Sequence, residues 1–71
     1  MPTEHLQDRF LHQLRTERIP VTLFLVNGFQ IRCSILAFDA FAVIVLADGK
    51  QEMIYKHAIS TIIPSEAVRL S

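Results

Sequence analysis

Along EHLQDRFLHQLRTER the apolar residues Leu6, Phe10, Leu11 and Leu14 recur at i, i+4, i+5 and i+8, the stripe of an amphipathic helix. The pattern predicts a helix over residues 6–17, with Thr3 as a candidate N-cap and Pro20 barring continuation because its ring removes a backbone donor. Beyond Pro20 the period changes to two. VTLFLV (21–26) is rich in β-branched and aromatic residues and runs into Asn27-Gly28, a strong hairpin signal. FQIRCSILAF (29–38) alternates, placing Phe29, Ile31, Cys33, Ile35 and Ala37 on one face and Gln30, Arg32 and Ser34 on the other. Asp39-Ala40 interrupts the pattern, FAVIVLA (41–47) reads as a buried strand, and Asp48-Gly49 reads as a second hairpin turn. QEMIYK (51–56) starts a fourth strand and AISTII (58–63) a short fifth, ended by Pro64.

The chain is therefore mainly β, an N-terminal helix followed by five short antiparallel strands. Strands this short and apolar are too few for a two-sheet sandwich, so the sheet must bend back on itself into a small open barrel capped by the helix. The 71 residues allow one domain, expected over residues 1–64, with 65–71 as a short tail. A core this small is marginal without support. Cys33 is the sole cysteine, which rules out an internal disulfide, and His5 and His12 are too far apart along a helix to share a metal. Oligomerisation is the device left: an open barrel has two unpaired edges, apolar edges pair with a neighbouring copy, and a head-to-tail contact that closes gives a ring.

Seven Lys and Arg balance seven Asp and Glu, so a polyanion would be bound only if geometry concentrates the few cations. The lone thiol and the lack of a signal peptide point to the cytoplasm, and no apolar run is long enough for a membrane span. Taken singly, Phe41 reads as core, Lys56 as a solvated cation and His57 as a hydrogen-bonding group at a strand end. An SH3-like protein-interaction module is the alternative reading, weakened by the absence of Trp and the single tyrosine, Tyr55. An enzyme built on Asp39 and His57 lacks a nucleophile and base at a recognisable spacing, a phosphate loop or a ligand cluster, so no catalytic function and no cofactor is expected.

LQDRFL, RIPVTLFLVNG, the FDAF turn, YKHAIS and TIIP occur in an order and spacing that resemble the Hfq family of bacterial Sm-like RNA chaperones over residues 6–64. The resemblance implies a bent five-stranded Sm-like fold assembled through edge strands as a homo-hexameric ring. It implies a stress-related role in post-transcriptional regulation, with single-stranded RNA as partner and small RNAs paired to mRNAs. It also implies three RNA surfaces. On the proximal face around the pore, Phe41 would stack on a base, Lys56 would meet phosphate or a uracil carbonyl, His57 would bond near the RNA 3′ end, and Gln7 would read the uracil edge. Tyr55 would pack in the subunit junction. The distal face would comprise Phe24, Gly28, Phe29, Gln30, Arg32 and Glu52, and the rim His12 and Arg15.

The chain departs from the family pattern at several of these positions. Cys33 stands where a glycine is common, at a point of strong strand curvature, and Ala40 replaces a glutamine beside the turn aspartate. In RTER, Arg15 is kept but Thr16 takes the place of a second rim arginine, and the turn at ADGKQ is about one residue longer. Arg32 and Glu52 occupy distal positions where the family uses glutamines to read adenine. A glutamine both donates and accepts, whereas ionised Glu52 only accepts, so weakened purine binding is expected on that face.

Overall fold

Residues 3–70 are described by the computed structural model, with side chains described from residue 6 onward. Helix α1 spans Thr3–Thr16, so it begins earlier than the apolar stripe predicts, and the capping expected of Thr3 falls outside the described side chains. Its end is set before Pro20 is reached. The Ile19 N–H donates to the Leu14 carbonyl at 3.1 Å and the Arg18 N–H to the Arg15 carbonyl at 3.3 Å, with Arg18 itself at φ 54°. This is a Schellman ending, with an arginine at the left-handed position where glycine is usual. Leu14 and Ile19, the residues flanking it, are both buried.

Five strands follow: β1 Val21–Leu25, β2 Gln30–Phe38, β3 Ala42–Ala47, β4 Lys50–Tyr55 and β5 Ile59–Pro64, with a short 3-10 turn at Lys56–Ala58. They form one antiparallel sheet in the order β4-β3-β2-β1-β5. The β1–β2 turn has Gly28 at φ 94°, while Asp48 and Gly49 at φ 57° and 78° have the positive pair of a type I′ hairpin.

The long strand β2 serves both halves of the sheet. Its residues up to Cys33 pair with β1, ending at Val21, and from Ser34 onward they pair with β3, starting at Leu46. A bulge between Ile35 and Ala37 bends the strand just beyond this handover. The bulge also corrects the alternation expected for 29–38: one extra residue reverses the phase, leaving Ala37 exposed and turning Phe38 partly inward. It supplies curvature on a strand whose handover residue is Cys33 rather than glycine. A second irregularity falls between Phe24 and Leu25 where β1 pairs β5.

The bent sheet closes around a core of Leu11 and Leu14 from α1, Leu23 from β1, Ile35 from β2, Val43 and Val45 from β3, and Ile54 from β4. The strand expected to be buried throughout at 41–47 is not uniformly so. Phe41 lies outside β3 and is 76% exposed, and Leu46 is 41% exposed. The edges are β4 and β5, where Met53, Tyr55 and Ile63 are each half exposed. Such apolar edges are the feature that recruits another copy. Among the described residues no helix is long and apolar enough to cross a membrane.

Cys33 is 7% exposed, and burial, reinforced by the negative charge of Glu52, pushes its thiol up to about 11. The group is neutral at physiological pH and packs as a small apolar residue. Because the folded value lies above the ordinary 9.0, its contribution to stability is fully present below pH 9.0 and is lost as pH rises through about 11. Native protein should therefore resist iodoacetamide at pH 8, and Glu52→Gln should speed alkylation at pH 9 to 10. An alkylation rate unaffected by Glu52→Gln would show that the carboxylate does not act on the thiol.

Candidate nucleic-acid interface

The turn between β2 and β3 is organised by one carboxylate. Asp39 Oδ1 accepts the backbone N–H of Phe41 at 2.8 Å and of Ala42 at 2.9 Å, and the Asp39 N–H donates to the Ala42 carbonyl at 3.0 Å. The two backbone donors, first Phe41 and then Ala42, hold the Asp39 carboxyl below its ordinary value, with a smaller contribution from Lys56. Its stabilising effect is thus present above pH 3.8 and fades as pH falls below it. On the other side of the same peptide, the Phe41 carbonyl accepts the backbone N–H of Lys56 at 2.8 Å. The Phe41 backbone is clamped between Asp39 and Lys56 while its ring faces solvent. An aromatic ring held this way is a platform rather than core, which reverses the reading of Phe41 taken singly.

Lys56 and His57 lie in the 3-10 turn that joins β4 to β5. The His57 ring stacks on Tyr55 with centroids 5.8 Å apart and planes 7° apart, which orients the imidazole from the β4 edge. The Lys56 Nζ lies 5.8 Å from the centroid of Phe38. Arg15 Cζ lies 5.5 Å from the same ring. Phe38 thereby carries two cations, one from the helix and one from the β4–β5 turn, and each contact is worth about 0.5–1 kcal/mol at an exposed site. The sequence pattern hid this residue, because only the bulge turns it towards Lys56.

Gln7 lines two clefts that both include Lys56. One, of about 290 Å³, runs past Asp8, Phe38, Asp39 and Ala40. The other, of about 190 Å³, lies against Phe10, Val43 and the start of β5. The helix and the β4–β5 turn thus bring Gln7 and Lys56 to one surface, with Phe41 joined to Lys56 through its backbone.

Elsewhere, Phe24, Gly28, Phe29 and Gln30 are gathered at the β1–β2 hairpin, where the Phe24–Gln30 pair closes the ladder and Phe29 is 67% exposed. Arg32 pairs with Thr22 and is exposed. Glu52 stands apart from this group within the subunit: it pairs with Val45, on the edge strand two places from β2. On the helix, His12 is bracketed by Arg15 Nη2, 3.2 Å from Nδ1, and by Thr16 Oγ1, 3.4 Å from Nε2. An arginine can only donate, so the Arg15 contact uses Nδ1 as an acceptor. Arg15 and Arg18 flank a further opening of about 440 Å³ over Leu36 and Leu46.

A helix laid on a strongly bent five-stranded antiparallel sheet in the order β4-β3-β2-β1-β5 defines an Sm-like module. A model of the Hfq protein family matches residues 6–69. The RNA-binding protein Hfq of Desulforudis audaxviator (strain MP104C) is 61% identical over 67 residues, covering 94% of this chain and 81% of that protein. The RNA-binding protein Hfq of Shouchella clausii (strain KSM-K16) is 56% identical over 68 residues, covering 96% and 88%. A crystal structure of the pleiotropic translational regulator Hfq superposes with a TM-score of 0.80 at 41% identity, covering 82% of this chain and 97% of that one. The chain belongs to the Hfq family.

Because Phe41 is exposed while its backbone is bonded to both neighbours, removing the ring should leave the fold almost untouched. Phe41→Ala should change unfolding stability by no more than about 0.5 kcal/mol, whereas Asp39→Ala should lower the thermal midpoint clearly and Asp39→Asn, which keeps Oδ1 as an acceptor, should lower it less. A large loss from Phe41→Ala would return that ring to the core.

Proposed function

We infer that this chain is an RNA chaperone of the cytoplasm whose subunits close through the β4 and β5 edges into a hexameric ring and bind single-stranded, uridine-rich RNA around the pore. Its role is to pair small RNAs with mRNAs, and its function is binding rather than catalysis. The observation that carries the reading is the anchoring of the exposed Phe41 to Lys56 through their backbones, beside a cleft that Lys56 and Gln7 line together. Base stacking on such a ring contributes about 1–3 kcal/mol per base. Lys56 supplies a phosphate or carbonyl contact, Gln7 offers both a donor and an acceptor to a uracil edge, and His57 adds a donor near the strand's 3′ end. Ring closure repeats these groups around one axis, so a chain with no net charge still presents a concentrated cationic annulus. A peptide-binding SH3-like module is disfavoured by the family match and by the separation of the exposed aromatics between the Asp39 turn and the β1–β2 hairpin.

The distal surface falls on the β1–β2 hairpin, where Phe24 and Phe29 offer stacking and Gly28 and Gln30 offer backbone and side-chain contacts. Arg32 stands on this hairpin, and assembly is what would bring Glu52 of the β4 edge to it. A carboxylate there accepts but cannot donate and lies near RNA phosphates, which weakens adenine recognition. On the rim, Arg15 and His12 remain, with Thr16 neutral.

Light scattering after gel filtration should give the mass of a closed oligomer; a monomeric mass at micromolar concentration would sink the ring and the charge collection that depends on it. Lys56→Ala should weaken short oligouridine binding and reduce the dependence of its affinity on salt, since fewer counterions are released. Unchanged affinity and slope would place the site elsewhere. On the distal face, Glu52→Gln should tighten oligoadenine binding at fixed salt, by up to about 1–3 kcal/mol for a restored base-edge hydrogen bond. No tightening would remove Glu52 from the adenine site.

A further inference from the structure

The segment after Pro64 folds back along the helix. The Ser65 N–H donates to the Pro20 carbonyl at 2.9 Å, and Val68 packs against the core. These two anchors set Arg69 and Leu70 beside the helix, where with Arg9, His12 and Gln13 they line a cleft of about 190 Å³. Residues 9, 12, 13 and 16 share one helical face by their i, i+3, i+4 and i+7 spacing. His12 joins this cleft to the rim, since its Nδ1 lies 3.2 Å from Arg15 Nη2. Arg9, Arg15 and Arg69 are three of the chain's seven Lys and Arg residues, drawn into one band by the tail. On the same helix Glu17 accepts a 2.6 Å hydrogen bond from Gln13.

We propose that the docked tail completes a phosphate-binding cleft, with Arg69 holding the backbone of an RNA strand that runs from the pore outward across the rim. This rests on the reading of the chain as an RNA-binding ring. The band receives from the tail the positive charge that Thr16 does not supply. The space is several times the ~30 Å³ share of one water molecule, room for a phosphate with part of its hydration. The Arg69 guanidinium that the tail brings to this cleft suits the planar, bidentate recognition of phosphate oxygens. An arginine contact to phosphate carries no base information, so this contact is independent of sequence and strongly dependent on salt.

The test compares a short oligouridine that fits only the pore surface with a long uridine-rich strand able to extend over the rim, each bound to the intact protein over a series of salt concentrations. Arg69→Ala should weaken the long strand about fivefold or more and reduce its salt slope by about 0.7 for each phosphate no longer neutralised, while leaving the short strand unchanged. Arg69→Lys should recover part of the loss. Val68→Ser keeps the charge but loosens its anchor, and should reproduce the Arg69→Ala defect. An unchanged long-strand affinity and slope in Arg69→Ala would overturn the cleft, and so would an equal loss for both strands. Full affinity in Val68→Ser would also overturn it, because an undocked arginine would then suffice. Lys56→Ala separates the two levels: if the natural protein binds the short strand and Lys56→Ala weakens it, the pore reading stands whichever way Arg69 behaves.

Discussion

The handover within β2 is the constraint on which the rest of the molecule depends. One strand pairs with β1 through Cys33 and with β3 from Ser34, so a single segment of backbone belongs to both halves of the sheet. With the bulge that follows, the sheet folds far enough for Leu23, Ile35, Val43 and Val45 to meet under α1. A flat sheet of the same strands would leave one apolar face against water. Bending gathers a core from few residues, but because the sheet stays open each of β4 and β5 keeps one unpaired edge at opposite ends of the order. The edges that make the subunit incomplete are the ones that would join it to a neighbour.

The same bulge governs the candidate interface. By reversing the alternation after Ile35 it turns Phe38 to meet both Arg15 and Lys56, and the chain then enters the Asp39 turn that fixes Phe41. Helix, sheet bend and β4–β5 turn are thus coupled through one ring and one carboxylate. The proposed pore site and the proposed rim are adjacent parts of a continuous surface, with Phe38 between them. The tail extends this surface along the outer helix, so the proposed path for an RNA strand crosses three elements that are distant in sequence.

Much of the fold was legible because it follows from local rules. The change from helical to twofold periodicity at Pro20, the Asn27-Gly28 and Asp48-Gly49 turns and the aspartate of the β2–β3 turn each act over a few residues, and the structure has all of them. The candidate site was legible through the order of LQDRFL, FDAF and YKHAIS, not through the chemistry of single residues, since an isolated lysine, histidine or phenylalanine has ordinary structural uses. The form of the helix ending was not legible for a related reason: Pro20 is conspicuous in sequence, whereas a Schellman motif built on Arg18 has no conspicuous residue.

By itself the sequence determined the elements, their order and the turn chemistry, because periodicity and backbone preference are properties of neighbours along the chain. Tertiary structure decided where the phase of β2 reverses, that Phe41 is exposed and Cys33 buried, that Phe38 gathers two cations, and that Arg69 lies beside Arg9 and His12. Each of these depends on which of several compatible packings wins when the sheet closes. That competition is settled by packing the whole core at once, and no window of sequence contains it.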